Sequence, residues 1–161
     1  MCLLAGSVVS AQNRARAFKW KAAIEPSKST DAGGKSAGVA VAVRSHCGLA
    51  PSQGVQLPPE IEHRVIVTHW SAVCRGGIFV ISAYLWCSEG LSKRNLELLQ
   101  AVARLIAQLH GPWILAADWN LSPGALRKAG WLQLVKGVVH ATGTPTCKTA
   151  EDDFFVLSVG L

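Results

Sequence analysis

The chain has 161 residues, a formal net charge of +6 and a mean hydropathy of +0.27. Half of the residues are hydrophobic and six are tryptophan. This composition excludes an intrinsically disordered chain, because so much apolar surface would collapse in water. No stretch approaches about 18 uncharged apolar residues, so the sequence predicts no membrane-spanning helix. The length suits a single domain over residues 1–161.

The basic charge is concentrated in the first third of the chain. Residues 1–48 hold seven of the 16 Lys and Arg residues and only two of the ten acidic residues. Such a segment suits a polyanionic partner, and a solvated helix face is the alternative that charge alone favours.

The five cysteines are odd in number, and no pair has the C-x-x-C spacing of a metal site. We therefore expect reduced thiols in an intracellular protein, either nuclear or cytoplasmic. Residues 1–11 imitate a secretion signal but lack basic residues ahead of the apolar run.

The first half of the chain predicts short elements separated by polar loops. In chain order these are a helix over 8–18, a strand over 20–24 that Pro26 closes, a polar loop over 27–36, an apolar strand over 37–43 and a long loop over 47–60.

The second half predicts more regular structure. Residues 64–70 and 77–84 are two strands of an antiparallel hairpin, because the Gly-Gly link between them is short. A helix over 92–110 follows, with Ser92 as its N-cap and one apolar stripe. The remaining elements are a strand over 113–118, a helical turn over 126–130 and a strand over 153–158.

Only one strand–helix–strand crossover occurs in this order of elements. A doubly wound sheet would alternate strands and helices more regularly. We therefore predict a mixed or antiparallel α/β sandwich.

The tripeptide Gly34-Lys35-Ser36 imitates the end of a phosphate-binding P-loop. The motif needs a glycine five residues earlier, where Ser29 stands, and it needs a strand before it and a helix after it. Neither condition is met, so we expect no nucleotide binding by this segment.

The best candidate site follows the apolar strand that ends at Asp118. Asn120 stands two residues later, and Pro123 closes the turn. Asp118 and Asn120 would project to the same side if the extended chain continued to Asn120. A carboxylate and an amide placed together can orient a water and hold a phosphate oxygen. An Asx-turn that merely closes the strand is the equal alternative.

Three further residues lie within or beside predicted strands. Tyr84, the only tyrosine, ends a strand and could donate to a phosphate, although a half-buried aromatic is the commoner role. Asp153 and its neighbour Asp152 precede an apolar strand. One of them could point inward as a functional carboxylate, or both could keep the strand edge soluble. His69 is interpreted as a hydrogen-bonded structural histidine.

Taken together, these segments resemble the endonuclease/exonuclease/phosphatase superfamily, which includes deoxyribonuclease-like enzymes, abasic-site endonucleases and LINE-type retrotransposon endonucleases. The matching segments, in order, are Ala37–Arg44, Gly77–Tyr84, the helix at 92–110, Asp118-Trp119-Asn120 and the Asp-Phe-Phe-Val-Leu-Ser strand from Asp153. The resemblance covers roughly residues 3–161. It implies a two-sheet α/β sandwich with its site at one end of the sheets.

The resemblance also implies a mechanism for metal-dependent phosphodiester hydrolysis. Asp118 would orient or deprotonate the attacking water, Asn120 would bind the scissile phosphate, and Tyr84 would hydrogen-bond a phosphate oxygen. Asp153 would support a catalytic histidine. A divalent cation, usually Mg²⁺, would offset the charge of the transition state. The implied partner is nucleic acid, with DNA favoured over RNA.

Two features of the family have no counterpart in this sequence. Family members place a metal-binding Glu in an early strand, whereas the first Glu here is Glu25, well past that place. Their catalytic His belongs to a segment that would follow Leu161. The sequence thus predicts a domain fragment of impaired activity. The alternatives are a nucleic-acid-binding remnant that uses Arg14, Arg16, Lys19 and Lys21, and an unrelated small α/β domain.

Overall fold

The computed structural model describes residues 5–29, 33–51, 57–146 and 151–160. Four α-helices lie in these ranges: α1 (Ala5–Ala17), α2 (Lys93–Ile106), α3 (Pro123–Lys128) and α4 (Trp131–Val135). The strands of the first half are β1 (Trp20–Glu25), β2 (Lys28–Ser29), β3 (Lys35–Ser36), β4 (Val39–Arg44) and β5 (Leu49–Pro51). Those of the second half are β6 (Val65–Trp70), β7 (Ile78–Tyr84), β8 (Trp113–Asp118), β9 (Gly137–His140) and β10 (Asp153–Ser158).

The largest sheet has six strands in the order β5-β6-β7-β8-β10-β9. Only β7 and β8 pair in parallel, and α2 makes the crossover that joins them. The other pairs in this sheet are antiparallel, including the predicted hairpin of β6 and β7. The mixed topology predicted from the single crossover is therefore confirmed.

One face of the six-stranded sheet is covered by α2. Ser92 accepts a hydrogen bond from the backbone N–H of Asn95 and so caps the helix at the predicted residue. The apolar stripe of α2 then packs on alternate residues of the central strands, among them Ile81, Leu115 and Val156. Period-2 alternation in the strands and period-3.6 recurrence in the helix place these residues on facing surfaces.

The opposite face is covered over only part of its width. β1 and β4 form a two-stranded antiparallel sheet that packs against β6 and β7. Val41 of β4 lies in a small core with Ile78 and Val80. Beyond that core, over β8 and β10, the face is open, and 46% of Phe155 is exposed. The two facing sheets are the predicted sandwich.

Several local predictions needed correction. The polar loop over 27–36 contains the two-residue strands β2 and β3, which pair with each other. The helical turn expected over 126–130 is α3, which starts earlier because Ser122 caps it and Pro123 occupies its first turn. The prediction missed α4, β5 and β9, which are five residues long or shorter and show too few repeats for a periodicity to be visible.

None of the described helices is long and apolar enough to cross a bilayer. The cysteines at 47, 74 and 87 are free thiols, as expected, whereas Cys2 and Cys147 lie outside the described residues. His69 is hydrogen-bonded, as predicted, since its Nε2 lies 3.2 Å from the carbonyl oxygen of Gly76.

Candidate functional site

Three of the four predicted site residues lie side by side across the six-stranded sheet. Tyr84 is the register partner of Asp118 in the pairing of β7 with β8. Asp118 is in turn the partner of Asp153 in the pairing of β8 with β10. Register partners project to the same face, and neighbouring strands are about 4.8 Å apart, so the three Cα atoms span roughly 10 Å. We call these three residues the site row.

The site row lies on the open part of the sheet. Alternation along β7 and β8 puts Tyr84 and Asp118 on the same face as Val80 and Ile114, which pack toward the smaller sheet. The β1–β4 sheet packs on β6 and β7 and does not extend over β10. A depression of about 230 Å³ remains there, lined by Asp118, Asp153 and Phe155, among others. The two carboxylates are therefore accessible to solvent, and the strands that carry them are hydrogen-bonded to each other.

Trp119 fixes the end of β8 from the opposite face. Its side chain is fully buried, and its ring stacks on Phe154 with the ring centroids 4.8 Å apart. The indole Nε1–H donates to the Phe154 carbonyl at 2.9 Å, and the backbone N–H donates to the Asp152 carbonyl at 2.7 Å. Because β8 and β10 are held together at this point, Asp118 and Asp153 are held side by side.

The surroundings of the Asp118 carboxylate disfavour its ionised form. Burial raises the pKa of Asp118, and the nearby charges of Asp153 and Asp152 raise it further. A hydrogen bond from the backbone N–H of Asn120 opposes these effects and lowers the pKa. A carboxylate shifted in this direction accepts a proton, or attracts a cation, more readily than an isolated one.

Asn120 does not continue the strand, so the condition under which it would project to the same side as Asp118 is not met. β8 ends at Asp118, and Asn120 adopts a left-handed backbone conformation with φ of 50°. The hydrogen bond from its backbone N–H to the Asp118 carboxylate is the Asx-turn that the sequence left as an alternative. Its side-chain Nδ2 donates to the Leu85 carbonyl at 3.1 Å. An amide nitrogen carries two hydrogens, so one remains for a ligand.

Tyr84 ends β7 and is half-buried. Its hydroxyl lies 3.0 Å from the Sγ of Cys87. This hydrogen bond raises the pKa of Tyr84 to about 12, with further contributions from burial and from the charges of Cys87 and Asp118. The phenol therefore stays protonated at neutral pH. Its one hydrogen can be donated either to the Cys87 sulfur or to an anionic oxygen.

The donor set fits a hard divalent cation with part of its shell left to other ligands. Within the described ranges no group of three or more His, Cys, Asp or Glu side chains converges on one point. Asp118 and Asp153 are register neighbours, and burial together with the charge of Asp153 raises the pKa of Asp118. Mg²⁺ is commonly held by only one or two carboxylates together with water and substrate phosphates.

Sequence reasoning missed Arg64, Trp86 and Cys87. Arg64 was predicted only as the first residue of a strand, yet it is 6% exposed and its guanidinium lies 3.9 Å from the centroid of the Trp86 ring. Nothing in the local pattern marks a strand-initiating arginine as buried. Cys87 stands three residues after Tyr84, and that spacing is the one available hint of their contact.

The sequence by itself matches no protein-family model and no curated protein. The structure resembles that of humanized D. rerio TDP2, with a TM-score of 0.63, 16% identity and coverage of 98% of this chain and 65% of that one. It also resembles the AP endonuclease LMAP from Leishmania major (TM-score 0.63, 17% identity, 94% of this chain and 66% of that one). A third similar structure is the human Nocturnin catalytic domain with bound sulfate (TM-score 0.64, 13% identity, 98% and 67%).

These likenesses establish the fold. The chain shares the two-sheet α/β sandwich fold of these structures, which is the fold class predicted from the sequence. It spans less than two thirds of the length of the first two of these structures, at 65% and 66%.

Proposed function

We propose that the site row belongs to a nuclease-type phosphodiester hydrolase that acts on nucleic acid with the help of Mg²⁺. The observation that carries the proposal is the shared register of Tyr84, Asp118 and Asp153 across three strands. Two similar structures support a nucleic-acid substrate. The Leishmania major protein is an AP endonuclease, and D. rerio TDP2 has been solved with a single-strand DNA product.

Each residue has a role that its surroundings suit. Asp118, whose pKa burial and Asp153 raise, accepts a proton from the attacking water or orients it. The phenol of Tyr84 is neutral because its pKa is raised to about 12, and its one hydroxyl hydrogen would turn from the Cys87 sulfur to a phosphate oxygen when substrate binds. Asn120 uses the remaining hydrogen of its side-chain amide for the same phosphate group.

Asp118 and Asp153 are the residues that would hold the divalent cation. When bound, the cation compensates the negative charge that develops on the phosphoryl oxygens. Burial and the charge of Asp153 raise the pKa of Asp118, so a cation between the two carboxylates would offset their repulsion. Asp153 would thus be a ligand of the cation. This role differs from the support of a histidine that the family resemblance implies.

The experiment measures cleavage of a fluorescent oligonucleotide by the 161-residue chain in Mg²⁺ and in EDTA. We expect Mg²⁺-dependent cleavage that Asp118→Asn lowers by about 10³-fold or more, as removal of a group that acts in the transition state does. Asp153→Asn should lower it as well. The matched control is Asp152→Asn, which lies one position outside the register of the site row and should retain most of the activity. Equal losses at Asp152 and Asp153 would contradict the proposal.

A second candidate is a nucleic-acid-binding protein without catalysis. The observation in its favour is that the site row contains no histidine and that, among the described residues, no group of three or more His, Cys, Asp or Glu side chains could hold a metal ion. The basic residues Arg14, Arg16, Lys19 and Lys21 would then carry binding. A gel shift separates the two candidates, because salt-sensitive binding with no cleavage in Mg²⁺ supports the second and Mg²⁺-dependent cleavage rejects it.

A further inference from the structure

A second cavity lies next to the Tyr84 end of the site row. Its volume is about 430 Å³, within the range of ligand pockets. Three cationic side chains line it, Lys28, Arg64 and Arg94, together with Trp86 and one carboxylate, Glu62. We call Lys28, Arg64, Arg94 and Trp86 the basic pocket. Its distance from the site row is short, since the Arg64 guanidinium lies 5.4 Å from the centroid of the Tyr84 ring.

Arg64 is a buried cation whose bonded acceptors are neutral. Its Nη2 donates to the Ser36 hydroxyl at 2.7 Å, and its Nη1 donates to the Tyr84 carbonyl at 3.1 Å. None of the described carboxylates forms an ion pair with it. Burial lowers the pKa of Arg64, which expresses the free-energy cost of placing this charge out of water. An anion in the cavity would offset that cost.

Arg94 brings a second cation to the same indole ring. Its guanidinium lies 4.5 Å from the centroid of the Trp86 ring, and its partner Glu89 is 3.2 Å away. The charge of Arg94 contributes to the lowered pKa of Arg64, so the two guanidinium groups repel each other. The first turn of α2 carries Lys93 and Arg94 and no acidic residue, although a helix N-terminus favours negative charge. Both features favour an anionic occupant.

The basic pocket is held rigid from beneath by Asn95. This side chain is fully buried; its Oδ1 accepts from the Trp86 backbone N–H at 2.8 Å, and its Nδ2 donates to the carbonyls of Trp86 and Gly90. Trp86 is thereby fixed between the end of β7 and α2. A site organised in this way loses little conformational entropy when a ligand binds.

The geometry points to the basic pocket as a binding site for a phosphate of the nucleic-acid strand, next to the phosphate that the site row would cleave. Lys28 and Arg94, both exposed, contact the phosphate, while Arg64 supplies a fixed positive field and positions Trp86. This inference rests on the proposed function and narrows its substrate. A strand with at least two phosphates is preferred over a small phosphoester.

The first arm of the test measures binding without cleavage. Anisotropy of a fluorescein-labelled single-stranded 12-mer is titrated with the full chain in EDTA, over a series of salt concentrations. Lys28→Gln and Arg94→Gln should each weaken binding by about three- to tenfold and flatten the salt dependence by about 0.7 in log–log slope. The matched control is Lys93→Gln, whose side chain is adjacent to Arg94 in sequence and 90% exposed, but lies outside the basic pocket. Equal weakening by Lys93→Gln, or none by the other two variants, overturns the inference.

The second arm separates this inference from the proposed function. Hydrolysis of bis(p-nitrophenyl) phosphate in Mg²⁺ reports on the site row alone, and Lys93→Gln should leave its rate within about twofold because Lys93 lies outside both the row and the basic pocket. If the wild-type chain hydrolyses nothing but binds the oligonucleotide through Arg94, the proposed function fails and the basic pocket stands. Arg94-dependent binding of an inositol polyphosphate, with no binding of the 12-mer, overturns the assignment to nucleic acid.

Discussion

The site row and the basic pocket meet at Tyr84, and the carboxylates of the row and the guanidinium groups of the pocket carry opposite charges. In the row, burial and the charge of Asp153 raise the pKa of Asp118 and so disfavour its ionised form. In the pocket, burial and the charge of Arg94 lower the pKa of Arg64 and so disfavour its charged form. Like charges kept close together reduce the stability of a fold unless an occupant of opposite sign is present. The pair of regions therefore suits a cation on one side and an anion on the other, as a phosphodiester with its metal ion would provide.

The two regions also differ in how they are held. The row depends on strand register, with Trp119 securing β8 to β10 from the buried face. The pocket depends on one buried amide, Asn95, which bonds the backbone of Trp86. Substitutions at these two residues should therefore disturb one region more than the other, which is a direct way to test whether the regions are independent.

Trp119→Ala should have the largest effect on stability. The substitution removes a fully buried indole, its stacking on Phe154 and the hydrogen bond to the Phe154 carbonyl. We expect a loss of about 3–5 kcal/mol in the free energy of unfolding, measured by urea denaturation. Trp119→Phe keeps an aromatic ring and should cost clearly less. Equal effects of the two variants would show that stacking on Phe154 contributes little.

Asn95→Ala should destabilise the chain by about 1–3 kcal/mol, because it leaves the backbone groups of Trp86 without their partners. Oligonucleotide binding by the folded fraction should weaken, whereas hydrolysis of the small phosphodiester should change little. The exposed Asn13 on α1 offers a control, and Asn13→Ala should stay within about 0.5 kcal/mol. A parallel loss of both functions in Asn95→Ala would mean that the two regions are coupled.

The smallest expected effect concerns Tyr84, the residue of the site row that adjoins the basic pocket. The bond to Cys87 is the largest cause of the raised pKa of Tyr84, so Cys87→Ala should lower that pKa from about 12 toward 10. The absorbance of phenolate measures this directly, since the chain has one tyrosine. The control is Cys74→Ala, because the Cys74 thiol donates to the Gly77 carbonyl instead.

The same shift has a defined sign for stability. A folded-state pKa above the unfolded value means that the folded chain keeps its proton longer as pH rises. Stability that is present below pH 10 should therefore decline between about pH 10 and 12 in the wild-type chain, and this decline should be smaller in Cys87→Ala. A tyrosine titration that is identical in the two proteins would exclude the Tyr84–Cys87 bond in solution.

Much of the fold was predictable because its signals are local. The alternation in β6, β7 and β8, the cap at Ser92 and the apolar stripe of α2 each lie within one segment. Asp118 was recognisable for the same reason, since it ends an apolar strand. The pairing of Asp118 with Asp153 depends on register between strands that are 35 positions apart, and no local pattern encodes it.

The basic pocket could not be predicted from the sequence. The pocket forms because the guanidinium groups of Arg64 and Arg94 both stack on the indole of Trp86. Neither the spacing of these residues nor the composition predicts such contacts. The sequence left the backbone of Asn120 open between an extended chain and an Asx-turn, and the hydrogen bond to the Asp118 carboxylate stabilises the left-handed turn there. Side-chain bonds of this kind override the preference of the preceding strand.

The Asn95 clamp has a consequence for the order in which the chain folds. It closes a loop of nine residues between Trp86 and Asn95, whereas the bond between Trp119 and Phe154 closes one of 35. Short loops lose less chain entropy on closure, and local contacts form sooner than distant ones. The β7–α2 corner should thus acquire amide-exchange protection early in refolding, before β10 joins β8. The Trp86–Arg94 part of the basic pocket would then form before Asp118 and Asp153 come together.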